Sequence, residues 1–334
     1  MAEAPVAAHV AAPVGAPVAA PVGAPVAAPV GAPVAARATA RRQLCDCAQR
    51  GDVVQVQALL LSLAVLLPDS GIAIYCALKA AVRNDHVHVV AAMFAARGSD
   101  TWTTRFWQLF EVAACHSSLR VAAVLVAAKA SVGGVNCFAE TPLFTAAAKG
   151  HLSCVSLLLA MKACIQVRGR NCTALHNAAR SGHADVAECL LLAKADHHHT
   201  NDCDETPLYL AAAGMHESTV RVLLGARADA NPPSPSRSPL FGACLHPRQS
   251  TVFHLLLGAR ADANATPFSG FTPLSTAVAN GCPDAVLKLL LRAKADVDAA
   301  TTGESTALRD ATRLDRHSAA RILVRAKANV HTNN

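Results

Sequence analysis

Aromatic and charged residues are scarce in this 334-residue chain. Phe, Trp and Tyr make up 4% of it, and Asp, Glu, Lys and Arg together make up 16%. Hydrophobic residues nevertheless account for 52%, so a core must be built from Ala, Val and Leu rather than from large rings. Such a core suits small helices that pack closely together. The formal net charge of +7 is too low to indicate a nucleic-acid-binding tail.

The 12 cysteines include no Cys-x-x-Cys motif, and their scattered positions do not form the framework of a disulfide-rich secreted protein. Most lie in stretches rich in Ala and Leu, where a free thiol behaves as a small buried hydrophobic group. The N-terminus lacks basic residues, and proline recurs after it, so neither a signal-peptide core nor a membrane-spanning helix is expected. We therefore predict an intracellular protein, cytoplasmic or nuclear, that is not secreted.

The sequence also lacks the motifs of common catalytic sites: a Gly-rich phosphate loop, G-x-S-x-G and H-E-x-x-H. We therefore predict no catalytic residue, no cofactor and no small-molecule substrate. A single cluster resembles a metal site, His197-His198-His199 with Cys203 nearby. In an extended segment His197 and His199 could share an ion while His198 points away, but zinc needs further ligands in fixed positions. No metal site is predicted.

Residues 1–41 form an Ala-Pro-Val-rich tract with a proline every few residues from Pro5 to Pro33. Proline removes a hydrogen-bond donor and restricts the residue before it, which predicts an extended, disordered arm. Two interpretations remain open for this arm. It is either a plain spacer or a self-associating or proline-recognition segment.

From residue 42 the pattern changes to pairs of short apolar helices, and a marker recurs in steps of 32 to 34 residues. Each marker is followed by a small-residue pair such as Ala178-Ala179 and by a turn such as Gly182-His183. A second helix rich in Val and Leu comes next, and many units end in an Ala-Asp doublet. The markers are Thr141-Pro142-Leu143-Phe144, Thr173-Ala174-Leu175-His176, Thr206-Pro207-Leu208-Tyr209, Ser238-Pro239-Leu240-Phe241, Thr272-Pro273-Leu274-Ser275 and Thr306-Ala307-Leu308-Arg309.

This combination resembles the ankyrin repeat, a β-turn followed by two helices with the signature T-P-L-H-x-A. The resemblance implies an all-α, ankyrin-type helical solenoid over residues 42–334, in which β-turn fingers connect helix-turn-helix units. Its early units and its last unit depart most from the pattern. We number the nine predicted units in chain order: 42–72, 73–105, 106–138, 139–170, 171–203, 204–235, 236–269, 270–303 and 304–334.

The resemblance also explains most of the histidines that would otherwise suggest chemistry. His176 fills the histidine position of the marker, and His151, His183 and His216 fill the turn. In ankyrin-like units both kinds of histidine hydrogen-bond to the backbone and connect neighbouring units. The Thr or Ser that opens each marker is expected to cap the first helix, and the Pro after it suits the first helical position.

One departure from the family pattern is regular. Where an ankyrin unit has Gly to close its second helix in a left-handed conformation, this chain has Lys or Arg. The units either accept the left-handed conformation, at roughly 1 kcal/mol each, or change the turn. These cations either complement helix dipoles or form a basic ridge for a polyanion. The basic ridge consists of Lys129, Lys162, Lys194, Arg227, Arg260, Lys294 and Lys327.

In ankyrin-like solenoids a partner binds the concave face made by the fingers and first helices. Phe268 and Phe271 are notable there because aromatic residues dominate interface hot spots, although Phe268 has the alternative of packing under its own finger. The early cluster of Trp102, Phe106, Trp107 and Phe110 either fills core volume or forms a partner pocket. The predicted face comprises Glu140, Lys149, Arg170, Arg180, His198, Asp202, Glu205, Arg237, Phe268 and Phe271.

The function predicted from these features is that of a monomeric scaffold or adaptor, a module that binds another protein. The alternative is docking of the basic ridge on an anionic membrane surface or nucleic acid, with weak contact to polyanions or anionic lipid. Steep salt dependence of binding would distinguish the alternative from the first function.

Overall fold

The computed structural model describes residues 34–66, 71–96, 109–110, 112–113, 116, 118–127, 133–135, 139–169, 171–234, 237–246, 250–266, 270–301 and 305–329. Most of the predicted arm lies outside these residues. So do Lys129, Arg170 and Phe268 of the predicted sites and three members of the early aromatic cluster, Trp102, Phe106 and Trp107.

Every regular element longer than a single bridge in the described residues is a helix. The only β-pairing among them consists of isolated bridges in fingers, Gly169 with Cys172 and Ala300 with Thr306. Residues 109–110 and 112–113 are also helical. The helices are α1 (Val34–Arg50), α2 (Val53–Leu66), α3 (Gly71–Arg83), α4 (Val87–Ala95), α5 (Leu119–Ala127), α6 (Pro142–Lys149), α7 (Leu152–Ala160), α8 (Ala174–Ser181), α9 (Ala184–Leu192), α10 (Pro207–Ala213), α11 (Glu217–Gly225), α12 (Pro239–Leu245), α13 (Thr251–Gly258), α14 (Pro273–Ala279), α15 (Asp284–Arg292), α16 (Ala307–Arg313) and α17 (His317–Arg325).

These helices form two parallel rows. In units four to nine the first helices α6, α8, α10, α12, α14 and α16 each contact the next in the row, and the second helices from α7 to α17 do the same. Each helix also packs on the other helix of its own unit. This arrangement confirms the predicted all-α, ankyrin-type solenoid, in which units are stabilised by stacking on their neighbours. None of the described helices combines the length and apolarity needed to cross a membrane.

The interface between the rows is built from small residues, as the composition suggests. The alanine pairs of the first helices, Ala146-Ala147, Ala178-Ala179 and Ala211-Ala212, have no exposed surface. Leu190 and Leu223 of the second helices are equally buried. Truncation of either leucine to Ala would cost about 2–5 kcal/mol because a cavity would remain. Phe110, the described member of the early aromatic cluster, is 1% exposed and therefore fills the core.

Threonine caps begin most of the first helices. Thr141 Oγ1 accepts a hydrogen bond from the backbone N–H of Phe144 at 3.2 Å, and Thr206, Thr272 and Thr306 cap their helices in the same way. The expectation fails at Ser238, whose side chain makes no cap bond. Its ψ of 129° departs from the values near 160° at the threonine caps, and its hydroxyl has no partner among the described residues.

In units four and five the turn after the first helix uses glycine and a histidine from the next unit. Gly150 has a φ of 75°, and a Cβ added to it would lie 2.5 Å from Nδ1 of His183. The corresponding imidazole one unit later, that of His216, lies against Gly182, and its Nε2 donates to the carbonyl oxygen of Arg180 at 3.0 Å. These turn histidines therefore connect neighbouring units, as the resemblance implies.

The turn after the second helix is left-handed without glycine. The six described members of the basic ridge have φ between 60° and 67°, so the units accept the left-handed conformation and do not change the turn. At Lys194 the backbone N–H donates to the carbonyl of Leu191, and the N–H of Ala195 donates to that of Leu190, both at 2.9 Å. This Schellman pattern recurs at Lys162, Arg227, Arg260, Lys294 and Lys327.

Asparagine side chains fasten some of these turns to the preceding unit. Asn231 Nδ2 donates to the carbonyl of Arg260 at 2.9 Å, and its Oδ1 accepts from the N–H of Asp262 at 2.7 Å. Asn264 makes the same two bonds one unit later. The carbonyl of the left-handed residue is thus held by the neighbouring unit, whereas its side chain is exposed.

The first helix begins at Val34, which lies within the segment assigned to the arm from the repeat pattern. Residues 34–41 are rich in Ala and follow the last proline of the tract, Pro33. Helix propensity therefore extends α1 in the N-terminal direction as far as the proline spacing permits.

Candidate partner-binding face

His176, at the histidine position of the marker, is fully buried and is used for structure. Its Nδ1 accepts from Thr173 Oγ1 at 2.8 Å, and its Nε2 donates to the carbonyl of Glu205 in the next unit at 3.1 Å. Burial lowers its pKa from 6.5 to about 4. The imidazole is therefore neutral near pH 7 and connects units five and six.

The three consecutive histidines point to different neighbours. The rings of His197 and His198 lie 4.2 Å apart, whereas His199 contacts His176 edge-on at 6.2 Å. The ring of His197 also hydrogen-bonds to the backbone of Arg227 in the next unit, and burial lowers its pKa. The described part of the chain contains no group of three His, Cys, Asp or Glu side chains arranged to hold a metal ion.

Glu205 lies at the centre of a polar cluster on the face made by the fingers and first helices. Its side chain is 17% exposed, 3.8 Å from the guanidinium of Arg180 and 3.7 Å from that of Arg237. Asn201 Nδ2 donates to its Oε2 at 2.7 Å. Three residues predicted for the partner face therefore lie together, and the cluster joins three successive units.

Arg237 is held in place by Cys203 on a finger and by Tyr209 on α10. Its Nε donates to the carbonyl of Cys203 at 3.0 Å, and its Nη1 donates to the Tyr209 hydroxyl at 3.3 Å. The guanidinium carbon lies 5.6 Å from the centre of the Tyr209 ring, within range of a cation–π contact. The hydrogen bond to Tyr209 raises the pKa of Arg237, so its guanidinium stays charged.

A groove opens between units four and five on the same face. It has a volume of about 350 Å³ and includes three predicted residues, Glu140, Lys149 and Arg180. Asn177 and Cys172, which were not predicted, line it as well, together with Phe144, Thr145 and Ala148. Asn177 carries a sequence signal that was overlooked: the corresponding residues of the two following units are Leu210 and Gly242.

The remaining predicted residues lie on fingers. Asp202 is 3.6 Å from Arg168, and both side chains are about half exposed. His198 is exposed, and Phe271, just before the cap Thr272, is 39% exposed. Their roles in binding stay predictions.

The described cations of the basic ridge are all exposed, one at the same turn in each of six units. An exposed aspartate follows two residues later in four of these units, at Asp196, Asp229, Asp262 and Asp296. These carboxylates offset part of the positive charge of the ridge.

The chain is similar to known repeat proteins over most of the array. The family model described as ankyrin repeats (3 copies) matches residues 109–201, 189–266 and 240–334. The ankyrin repeat domain of human ASB11, known from a crystal structure, superposes with a TM-score of 0.58 and 25% identity, over 65% of this chain and 96% of that domain.

A curated relative, the probable E3 ubiquitin-protein ligase XBOS32 of Oryza sativa subsp. japonica, is 32% identical over 171 residues. This match covers 51% of the chain and 34% of the relative, so the chain spans about a third of that protein's length. The family match, by contrast, extends across units four to nine with their caps, buried alanines and left-handed turns. The chain belongs to the ankyrin repeat family.

Proposed function

We propose that this array, an ankyrin-type protein–protein interaction module, binds a partner protein on its concave face, which is made by the fingers and first helices. The observation that carries the proposal is the polar cluster around Glu205. Its ion pairs with Arg180 and Arg237 are long, at 3.8 and 3.7 Å, and partly exposed pairs of this kind contribute little to stability. The cluster is therefore available to a partner at small cost to the fold.

A second feature supports the same face. Phe271 is 39% exposed in a chain with only 4% aromatic residues. An exposed aromatic ring and a positioned arginine are the side chains most often found at the centre of protein interfaces. Arg237, stacked near Tyr209, provides such an arginine.

The test compares two double variants of the full chain in quantitative affinity purification. Arg237→Glu with Phe271→Ser alters the proposed face. The matched control, Lys288→Glu with Leu192→Ser, makes the same chemical changes on second helices, where Lys288 is exposed and Leu192 is 80% exposed. We expect specific partners to be lost from the first variant and retained by the second. Equal retention, or equal loss with both folded, would contradict the proposal.

The alternative function is docking of the basic ridge on an anionic membrane surface or nucleic acid, and the repeated exposure of its cations favours it. The neighbouring aspartates oppose it. We expect at most weak binding of phosphatidylserine vesicles at low salt, lost on charge reversal of Lys194, Arg227 and Arg260. Strong binding to vesicles, with partner capture unaffected by Arg237→Glu and Phe271→Ser, would favour the ridge over the finger face.

A further inference from the structure

We propose that the groove between units four and five binds an extended, acidic segment of the partner protein. This inference rests on the proposed function and specifies where on the face, and by what chemistry, the partner is recognised. The groove lies between α6 and α8, with Lys149 and Arg180 near the C-terminal ends of these helices. Its chemistry matches a peptide backbone with a carboxylate side chain.

Asn177 is the first reason. Its side chain lines the groove, the residue is only 9% exposed, and its carboxamide has no hydrogen-bond partner among the described residues. The carboxamide is not sealed from solvent, so a ligand in the groove can replace the water bound to it. A carboxamide offers both donors and an acceptor, and so matches the N–H and C=O groups of an extended peptide.

The same position in other units shows that the fold does not require this amide. Leu210 is apolar and 7% exposed there, so an aliphatic side chain fits the stack. Asp310 is polar, but its carboxylate accepts hydrogen bonds from Ser305 and Arg313 within its own unit. At the same position of unit eight the Thr276 hydroxyl is buried without a partner among the described residues, whereas the Asn177 carboxamide reaches the groove, where a ligand can bind it.

The charges around the groove are the second reason. Lys149 and Arg180 are both exposed. The Arg180 guanidinium contacts Cys172 Sγ at 3.6 Å and Glu205 Oε2 at 3.8 Å. One acidic side chain, Glu140, lines the opposite part, and its backbone packs closely on Gly169. In the lining itself two cations lie beside one carboxylate, with Arg180 also paired to Glu205 at the edge of the groove, and this local excess of positive charge favours an acidic side chain in the ligand.

The lining also argues against nucleic acid. Phe144, the aromatic residue of the groove, is 5% exposed, so it contributes to the apolar lining and offers no face on which a base could stack. Glu140 would repel a phosphate backbone. A space of about 350 Å³ fits a few side chains of an extended chain rather than a folded domain.

The experiment selects a phage-displayed library of random dodecapeptides on the full chain. The best peptide is then synthesised with its acidic residues intact and with each changed to the corresponding amide. Affinities are measured by fluorescence anisotropy for wild type, Asn177→Leu, Lys149→Glu and the control Lys288→Glu on α15. Thermal unfolding of each variant is recorded in parallel.

We expect enriched peptides to share an acidic residue, and the amide version to bind at least tenfold more weakly. Asn177→Leu should weaken binding at least tenfold while the thermal midpoint is unchanged or higher, since leucine fits this position in unit six. A merely structural Asn177 would lower both together. Lys149→Glu should weaken binding of the acidic peptide, and it should bind a peptide that has Lys in place of the acidic residue. The control Lys288→Glu should change the affinity for the acidic peptide less than twofold.

The experiments distinguish an error in the groove proposal from an error in the proposed partner-binding face. Peptides whose binding is lost in Phe271→Ser but unchanged in Asn177→Leu and Lys149→Glu would overturn the groove and leave the proposed function standing. Absence of enriched peptides would also overturn the groove proposal. Partner capture by the Arg237→Glu, Phe271→Ser variant would then test independently whether the partner binds the concave face. If neither set of variants alters any interaction, both proposals are wrong.

Discussion

In units four, five and eight both turns are left-handed, and the two are closed by different residues. After the first helix the residue is glycine, as at Gly150 with a φ of 75°, and after the second it is Lys or Arg, as at Lys194 with a φ of 66°. Backbone conformation is therefore the same in both turns. If φ alone selected glycine, both turns would have it.

The neighbouring unit explains the difference. An imidazole from the next unit lies so close to Gly150 that a Cβ there would be 2.5 Å from it. At Lys194 the side chain is exposed, and at the related Arg260 the neighbour contacts only the carbonyl, through Asn231. Glycine is thus required where another unit approaches the Cα, and a left-handed residue with a side chain suffices where it does not. At Gly281 the group nearest an added Cβ is the Arg316 guanidinium, the end of a flexible side chain, so the requirement for glycine is weaker there.

The largest effect is expected from Gly150→Ala. A Cβ at this position is strained because the backbone is left-handed, and it also clashes with His183. Together the strain and the clash should lower the free energy of unfolding by about 2–5 kcal/mol. Urea unfolding measures this. Gly225→Ala is the matched control, because no atom lies within 4 Å of a Cβ there, and it should be neutral or stabilising by up to about 1 kcal/mol. If adding His183→Ala to Gly150→Ala restores no stability, the clash is not the cause.

Protonation of His176 should break a contact between units. Its folded pKa of about 4 lies below the unfolded value of 6.5, so the unfolded chain binds the proton first. Its contribution is complete above pH 6.5, is lost as the pH falls from 6.5 to 4, and amounts to about 3 kcal/mol. Urea unfolding of wild type and His176→Asn across this range measures the difference. Equal pH slopes would contradict the prediction.

Asn264→Ala removes a connection that reaches only the backbone of the next unit. Nδ2 of Asn264 donates to the carbonyl of Lys294 at 3.1 Å, and its Oδ1 accepts from Asp296 N–H at 2.7 Å. The groups are exposed, so water replaces part of the interaction, and we expect a loss of about 1–2 kcal/mol in thermal or urea unfolding. Asn264→Asp keeps the acceptor and should lose less. No difference between the two variants would mean that the bond accepted from Asp296 N–H contributes nothing.

The smallest effect, opposite in sign, is expected from Lys194→Gly. Glycine relieves the left-handed strain but removes a cation near a helix C-terminus, so the net gain should be at most about 1 kcal/mol. Lys194→Ala keeps the strain and loses only the charge, so it should be slightly destabilising at low salt and neutral at high salt. Calorimetry at two ionic strengths checks both. Destabilisation by Lys194→Gly would show that the side chain matters to the stack.

The fold was predictable because its signals are local and recur in phase. Thr206 with Pro207 specifies a helix start, and alanine pairs specify close helix packing, without reference to distant residues. The conformation at Lys194 was not predictable, because the same residues also suit a different turn. The bonds of Asn231 to Arg260 and Asp262 join residues about 30 positions apart, and no sequence rule pairs them.

The candidate site was predictable in part for the same reason. Glu140, Lys149 and Arg180 follow from their places in the repeat, which put them on the finger and first-helix face. Asn177 was missed, although Leu210 and Gly242 at the same position of the next two units set it apart. Its interest lies in the lack of a hydrogen-bond partner, a property of the packed neighbours rather than of the sequence position.

The left-handed Lys and Arg turns also make this array susceptible to one class of protease. An enzyme that cleaves after Lys or Arg meets an exposed substrate side chain at the same turn in each of six described units. Cleavage needs the turn to open locally, and in a stack such opening depends on the bonds to the adjacent unit. The order in which trypsin cuts these turns therefore reports the order in which the unit boundaries loosen.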